Sequence, residues 1–347
     1  MPDPNLPTAP QTADWQQAVA EHRKPNLPSS IWQLTNSVVP YLALWGLMIW
    51  TTGISYWITL PLAVVAAGFL VRIFIIFHDC GHGSFFSSRR ANQWTEFLTG
   101  VLTFTPYRQW RHKHALHHAT SGDLDRRGTG EIWTLTVDEY LQASRWKRLS
   151  YRLTRNPFVL FVLAPAFLFL VEHRFPSRSV GKRERRGVYW TNAALLLIAI
   201  AMSLTIGIKT YLLIQLPVLA FAATAGVWLF YVQHQFEDVQ WERRDDWDYA
   251  EAALQGSSFY KLPKVLQWFS GNIGFHHIHH LSPNIPNYNL QRCHDASPLF
   301  RQVKPLTLWA SFRSLSFRLW DEQRKKLVGY RQLRAIRRQM AASRAGS

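Results

Sequence analysis

The sequence predicts an all-α integral membrane protein with four transmembrane helices in two hairpins, interfacial helices and a cytosolic helical cap. Three observations support this fold class. Long apolar segments occur in two pairs, lysine and arginine residues concentrate on one side of them, and ten of the fourteen histidines stand in three short clusters on that side. We divide the chain into a polar N-terminal segment at residues 1–37, a membrane domain at residues 38–300 and a basic C-terminal helical tail at residues 301–347.

The composition favours a membrane protein. The formal net charge is +17, and aromatic residues make up 14% of the chain, with 16 tryptophans. Tryptophan collects at membrane interfaces. A positive chain can bind nucleic acid or an anionic membrane surface. Because the topology already accounts for the positive charge, we expect a membrane and no nucleic acid as partner. The mean hydropathy of −0.12 indicates a sizeable polar part outside the bilayer.

The N-terminal segment and the cysteines point to the cytosolic side. Residues 1–28 are polar and proline-rich and lack the apolar core of a cleaved signal peptide, so we expect a short disordered lead-in. The two cysteines, Cys80 and Cys293, form no C-x-x-C pair. This argues against a disulfide framework and favours a reducing compartment.

Two pairs of apolar segments predict two hairpins. About 20 residues span the hydrocarbon core, so the block at residues 38–77, with a weak break near Gly53, predicts spans at residues 38–56 and 58–77. The second pair is predicted at residues 188–208 and 211–232. Arg72 lies inside the second span, and we expect its side chain to extend toward the headgroups.

The segment between the hairpins is apolar but short. Residues 158–171 contain Pro165, and the loop that follows carries six lysine and arginine residues. Basic short loops stay in the cytosol, so this segment is predicted to be re-entrant or to lie flat. The outer loops carry only Lys209. We therefore predict the inner membrane, with both termini and the histidine clusters on the cytosolic side.

Two polar regions show helical spacing. Residues 138–153 mix aromatic, apolar and basic side chains, which predicts a surface-lying helix. In the tail, Leu308, Phe312, Leu315 and Leu319 mark one face of a predicted helix whose continuation is basic. This tail is either a solvated basic segment or a helix lying on anionic lipid.

The three histidine clusters carry the chemistry. Residues spaced i, i+3 and i+4 share one face of a helix, and each cluster has such a set. The sets are His78 and His82; His114, His117 and His118; and His276, His279 and His280. His234 lies just beyond the fourth predicted span, at the same depth as His78, and is a ninth candidate ligand. His112 and His277 are surplus to the spacing, and we predict a structural or supporting role for them.

The number of histidines implies two metal ions. Imidazole binds zinc, copper, iron and nickel, so the ligand type leaves the metal open. A structural zinc is closed by four ligands and a catalytic zinc uses three, so eight or nine histidines suit two metals with room for an exogenous ligand. Two irons that bind O₂ would use this arrangement. The carboxylates of the soluble di-iron bundles have no counterpart motif here.

Four further residues are predicted to support the ligands. Asp79, Asp123 and Asp125 lie near the clusters and would accept a hydrogen bond from the second ring nitrogen of a histidine. Asn272 would hold a metal-bound water. No catalytic residue separate from the metal ligands is predicted.

At these residues the chain resembles the membrane fatty acid desaturase family. That family carries the boxes H-x(3,4)-H, H-x(2,3)-H-H and H/Q-x(2,3)-H-H. The boxes here begin at His78, His114 and His276, and the resemblance covers roughly residues 77–289. The stretch at residues 275–288 looks most like the bacterial acyl-lipid desaturases, including the delta-12 (omega-6) type. His234 matches the position of an additional metal histidine of the family.

The resemblance implies a non-haem enzyme with two iron ions and O₂ as co-substrate. It would form a cis double bond in a fatty acyl chain carried as a lipid or an acyl thioester. Because the sequence contains no electron-carrier domain, an external donor such as a ferredoxin or a b-type cytochrome is expected.

Two alternatives remain open. A hydroxylase or ketolase of lipids, alkanes or carotenoids would share the metal site, because histidine spacing does not distinguish oxygen insertion from hydrogen removal. A divalent-metal transporter is a remote alternative, since transport sites need ligands near the middle of the bilayer and these histidines lie at helix ends.

Overall fold

The computed structural model describes residues 12–128 and 130–345. The α-helices are α1 (Thr12–Ala20), α2 (Leu27–Thr52), α3 (Tyr56–His82), α4 (Arg89–Leu102), α5 (Tyr107–Thr120), α6 (Val137–Gln142), α7 (Arg145–Thr154), α8 (Ala164–Leu170), α9 (Lys182–Thr205), α10 (Ile208–His234), α11 (Tyr249–Gly256), α12 (Lys264–Phe269), α13 (His276–Leu281), α14 (Asn287–Ala296), α15 (Pro298–Arg301), α16 (Leu308–Ser311) and α17 (Tyr330–Ala345). Short 3-10 segments lie at Glu21–Arg23, Glu172–Arg174 and Phe312–Ser316, and a π-helical turn lies at Val159–Leu163. The strands are β1 (Leu135–Thr136), β2 (Phe259–Lys261), β3 (Pro305–Thr307), β4 (Leu319–Asp321) and β5 (Lys326–Val328).

Helices α2, α3 and α10 form the packed centre of the apolar half. Small side chains such as Ala63 and Ala66 are fully buried there, which lets neighbouring backbones approach closely. Met48, Leu70 and Ile214 fill the space between the helices. The outer faces keep large apolar side chains exposed, as expected for helices surrounded by lipid.

Three helices of the described chain are long and apolar enough to cross a membrane: α3, α9 and α10. They match three of the four predicted spans, although α9 ends at Thr205, before the predicted end at residue 208. Most of the first predicted span lies in α2, which is 26 residues long and ends at Thr52 but is not among the helices that meet this test. A bent pair, α7 with Val159–Arg174, has a bend of 63° and is either a broken span or a re-entrant loop, and it overlaps the predicted re-entrant or flat segment at residues 158–171. The structure therefore offers three spans, or four if the bent pair counts as one.

Helix α2 begins eleven residues before the predicted span. Asn26 caps it by accepting a hydrogen bond from the backbone N–H of Ser29 at 2.9 Å. Two polar residues of its first turns face protein and not water: Ser30 donates to the carbonyl of Phe85, and Gln33 is 3% exposed. A polar composition therefore concealed the start of this helix.

The lead-in expected at residues 1–28 is also partly helical. Helix α1 covers Thr12–Ala20, and Val19 is fully buried in a cluster that includes Leu290 and Cys293 of α14. One buried apolar residue in a polar segment is too weak a pattern to predict this contact. Residues 1–11 lie outside the described part of the chain.

The cap contains short strands, which corrects the all-α prediction. Strand β4 pairs in parallel with β1 and antiparallel with β5, and β2 pairs in parallel with β3. The helix predicted from Leu308 to Leu319 is instead α16, a 3-10 segment and strand β4. Leu319 and Trp320 are buried within this sheet region, so long-range packing overrides the helical spacing.

Two further local predictions change. Residues 138–153 form two helices, α6 and α7, and not one. Arg72 does not extend to the headgroups: it is buried, donates to the carbonyl of Trp268 and lies 4.0 Å from the centre of that ring. It therefore joins α3 to the segment that precedes the third histidine cluster.

Candidate metal centre

Four helices bring the histidines together. His78 and His82 lie in the last turns of α3, and His234 is the last residue of α10. Helix α5 carries the second cluster and the short helix α13 carries the third. The C-terminal ends of two membrane helices thus meet two helices of the cap, which places the histidines where the apolar half joins the polar half.

The histidines form two groups of possible ligands. In each group the ligand atoms all lie within 4.8 Å of one another. Group one consists of His78, His82, His114, His118 and His279, and group two consists of His117, His234, His276 and His280. All nine histidines proposed from the sequence therefore belong to one of the two groups.

In each group the ring nitrogens converge closely. In group one, the Nε2 atom of His114 is 3.0 Å from that of His82 and 3.1 Å from that of His118, and the Nε2 of His279 is 3.0 Å from that of His118. In group two, the Nε2 of His234 lies 3.2 Å from that of His117 and 3.0 Å from that of His276. The rings of His118 and His280 stack at 4.2 Å, so the two groups are neighbours.

Neighbouring histidines divide between the groups. His117 and His118 face different groups, as do His279 and His280, whereas His114 stays with His118 and His276 stays with His280. Residues four apart on a helix share a face. On α5 and α13, the two histidines four residues apart therefore belong to the same group. The third proposed ligand of each helix, His117 or His279, belongs to the other group.

The donor set fits metal cations. Burial lowers the pKa of His276, His279 and His280 well below the usual histidine value, and neighbouring imidazoles lower it further. These rings are therefore neutral and offer a lone pair. Lone pairs that face one another repel unless a proton or a cation lies between them, and a neutral imidazole has one N–H to donate. A cation at the centre of each group would satisfy all of its rings.

Asp79 contacts a histidine of group one. Its Oδ1 lies 3.0 Å from Nδ1 of His78, and the residue is 1% exposed. Its Oδ2 accepts from the backbone N–H of Asn287 at 2.6 Å and from the side-chain amide of Asn287 at 2.8 Å. Gln33 in turn donates to Oδ1 of Asn287 at 2.9 Å. A carboxylate fixed in this way holds the imidazole in one orientation.

Asn287 and Gln33 could not be identified from the sequence. Asn287 lies in the stretch at residues 275–288, but no spacing rule gives a function to an asparagine seven residues after a histidine pair. Gln33 is distant in sequence and lies in a segment that was read as polar. Both roles arise from tertiary contacts.

Three predicted supporting residues have other partners. Asp123 accepts from Arg126 and from the backbone N–H of Asp125, and the exposed Asp125 pairs with Arg243. Asn272 donates to the carbonyl of Asn287 at 3.2 Å. These hydrogen bonds stabilise loops and do not orient imidazoles, so the expectation for Asp123 and Asp125 is corrected.

The two surplus histidines lie outside both groups. His112 is exposed on α5. His277 is fully buried, and its ring lies 5.7 Å from those of Phe259 and His294. It lies in α13 with three proposed ligands, but its ring faces Phe259 and His294 and not the other histidines of that helix.

Aromatic side chains enclose the groups. Trp110 stacks on His114 at 4.3 Å, and Phe230 lies 5.2 Å from both His117 and His234. Gly81 allows this approach, since a Cβ there would lie 3.1 Å from the Trp110 ring. These rings limit the access of water to the histidines.

Comparison with known proteins identifies the family. The family described as "Fatty acid desaturase" matches residues 55–308. A "Fatty acid desaturase" of Bacillus subtilis is 51% identical over 318 residues, which cover 92% of this chain and 90% of that protein. Two Synechocystis proteins are more distant. The "sn-1 acyl-lipid omega-3 desaturase (ferredoxin)" is 28% identical, covering 72% of this chain and 68% of the relative, and the "sn-1 oleoyl-lipid 12-desaturase" is 29% identical, covering 70% of each. With the family match spanning most of its length and a relative identical at half of the aligned positions, this chain belongs to the fatty acid desaturase family.

Proposed function

We propose that the chain is an O₂-dependent fatty acyl desaturase that forms a cis double bond in an acyl chain. The observation that carries this proposal is the pair of buried imidazole groups at the inner ends of α3 and α10. We assign His78, His82, His114, His118 and His279 to one iron and His117, His234, His276 and His280 to the other. Family membership supports an oxidoreductase that acts on acyl chains.

The proposed reaction determines which reactants must reach the histidines. Two bound irons would supply the oxidising power of O₂ needed to break unactivated C–H bonds. Per turnover, one O₂, two electrons and two protons are consumed, two hydrogens leave adjacent acyl carbons, and two water molecules form. The chain itself must therefore hold the acyl chain against the histidines, exclude bulk water and admit electrons.

The protein groups around the histidines suit these tasks. Trp110 and Phe230 form an apolar boundary beside groups one and two, which reduces the water content of the site and protects a reactive oxidant. Asp79 fixes the orientation of His78. Imidazole binds a metal in its neutral form, so the histidine ligands would not offset the positive charge of the two metals.

We propose a lipid-linked acyl substrate and delta-12 (omega-6) regiochemistry. Relatives named as acyl-lipid desaturases, one of them an oleoyl-lipid 12-desaturase, support this choice. The exposed apolar surfaces of the membrane helices give a lipid direct access to the protein.

The electron donor is proposed to be a separate protein, a ferredoxin or a b-type cytochrome. One relative is named for ferredoxin. The net charge of +17 favours an acidic donor, because opposite charges accelerate association.

We propose four spans in two hairpins in the inner membrane, with both termini and the metal centre in the cytosol. Six lysine and arginine residues lie between Arg174 and Arg186, before α9 and in its first turns. They support this orientation, because such basic stretches remain in the cytosol. The single variants Gly53→Cys, in the loop between α2 and α3, and Ser179→Cys, before α9, would test it by their reaction with an impermeant thiol reagent added outside intact cells. Gly53→Cys should react and Ser179→Cys should not; the reverse pattern would contradict the topology.

Lipid analysis tests the activity. The chain is expressed in a host that lacks desaturases, and its fatty acids are analysed by gas chromatography with double-bond localisation. Loss of two hydrogens at a fixed position, absent in a His279→Ala control, is the expected result. Gain of an oxygen atom would instead assign the chain to hydroxylation and contradict the proposal.

A further inference from the structure

A cationic groove lies between α6, α7 and α17, away from the histidines. Its volume is about 420 Å³, and its lining is rich in arginine and tyrosine. The lining residues are Tyr140, Leu141, Arg152, Tyr330, Leu333, Arg334 and Arg337. This is large enough for the polar part of a phospholipid.

The groove is held open by its own side chains. The Nε of Arg152 donates to the hydroxyl of Tyr140 at 2.7 Å, and its guanidinium lies 5.1 Å from the centre of the Tyr330 ring. The Tyr330 hydroxyl is buried and has no hydrogen-bond partner among the described residues. The wall of the groove therefore contains an unpartnered hydroxyl beside a guanidinium that aromatic rings hold in place.

The positive charge in the groove is not neutralised within the protein. Arg334 and Arg337 follow Tyr330 by four and seven residues, so α17 presents all three on one face. In the part of the chain whose side chains are described, none of the ion pairs involves these two residues or Arg152. Three guanidinium groups without a carboxylate partner form a site for an anion, and arginine pairs well with phosphate.

The groove lies beside an apolar helix face. On α7, Trp146, Leu149 and Leu153 share one face and are exposed, with Trp146 at 80%. Tyr151 on the other side is fully buried. Such a helix lies in a membrane interface, and Arg152 stands next to Leu153 at the edge of its apolar face. The guanidinium groups are thus beside the surface that would contact lipid.

We propose that this groove binds the headgroup of an anionic phospholipid, with the phosphate held by Arg152, Arg334 and Arg337. The acyl chains of the lipid would extend along the exposed face of α7. The site is separate from the histidine groups and does not depend on the proposed reaction. The basic helix α17 then serves as one wall of a lipid site.

Binding by the purified full-length protein in neutral detergent tests this proposal. Native mass spectrometry would measure the affinity for phosphatidylglycerol, phosphatidylcholine and inorganic phosphate. The double variant Arg334→Gln/Arg337→Gln should bind phosphatidylglycerol about tenfold more weakly, because each basic residue near a lipid surface contributes to attraction. Phosphatidylcholine should bind more weakly than phosphatidylglycerol to the unaltered protein.

The same helix offers a matched control. Arg331 and Arg338 are exposed and do not line the groove, so Arg331→Gln/Arg338→Gln removes the same charge and should change the affinity by less than about twofold. Equal loss in both double variants, or no loss in the first, would overturn the proposal. Inorganic phosphate binding as tightly as the lipid would assign the groove to a free anion. If Arg334→Gln/Arg337→Gln keeps its affinity for phosphatidylglycerol but is reduced more slowly by an acidic electron-carrier protein, the groove would instead be assigned to a protein partner.

Discussion

The two histidine groups and the acidic loop at residues 123–125 are both rich in side chains that can bind metals, yet they differ in where those side chains point. The nine histidines converge on two centres and have few partners outside them. Asp123 and Asp125 already pair with Arg126 and Arg243. A ligand site is thus distinguished by donor atoms that converge on one point from several helices, more than by the local density of ligand residue types.

The carboxylates show the same contrast on a smaller scale. Asp79 is buried and bonded to a histidine and to Asn287, whereas Asp125 is exposed and bonded to an arginine. Both stand near histidines in the sequence. Substitutions at such pairs test this contrast.

Removing one ligand should have the largest effect. His117→Ala or His279→Ala is expected to reduce desaturated product below detection, since each removes a proposed ligand of one metal, while the protein remains in the membrane. Lipid analysis and immunoblots of membrane fractions measure the two outcomes. His277→Ala is the control, because it leaves a cavity of similar size in the same helix as His279 but removes no proposed ligand. Activity of His279→Ala equal to that of His277→Ala would contradict the assignment.

Asp79→Asn should have an intermediate effect. The amide still fits the space but loses the charge that orients His78, and loss of such a partner lowers metal affinity or activity about 10–100-fold. Metal titration of the purified variant and product formation measure this. Asp125→Asn is the matched substitution at an exposed ion pair and should leave both quantities unchanged. Equal effects in the two variants would remove the distinction between these carboxylates.

Asn287→Ala should have a smaller effect than Asp79→Asn. It removes the side-chain donor to Asp79 but keeps the backbone N–H that also donates to Asp79. It also removes the acceptor of the Gln33 amide. Each buried hydrogen bond that is lost costs about 1–3 kcal/mol, so we expect a lower melting temperature and a decrease in metal affinity of less than about tenfold. A loss as large as that of the ligand variants would mean that Asn287 contacts the metal or its bound water.

Asp123→Asn should change stability and not metal binding. Asp123 has a fully buried side chain and bonds to Arg126 and to the backbone of Asp125. Its replacement should destabilise the loop by about 1–3 kcal/mol with an unchanged metal content, as measured by thermal unfolding and metal analysis of the same sample. A drop in metal content with unaltered stability would restore Asp123 as a supporting residue of the site.

The sequence predicted the proposed ligands more completely than the surrounding fold. Histidine spacing is a local property of helices, so i, i+4 pairs such as His276 and His280 could be recognised directly. The division of His279 and His280 between two groups could not, because it depends on how α13 meets α5. The start of α2 and the buried contact of Val19 could not be predicted, because both lie in polar or short segments that are buried by residues distant in the sequence. The strands of the cap arise from pairing across long sequence separations, as between Leu135 and Leu319.

The metal content of the purified protein tests the two-group arrangement most directly. Iron is counted per chain in the unaltered protein and in His279→Ala, His280→Ala and His277→Ala. We predict about two irons in the unaltered protein and in His277→Ala. About one iron should remain in each of the other variants, because they remove a ligand from different groups. One iron in the unaltered protein, or equal loss in all three variants, would contradict the account.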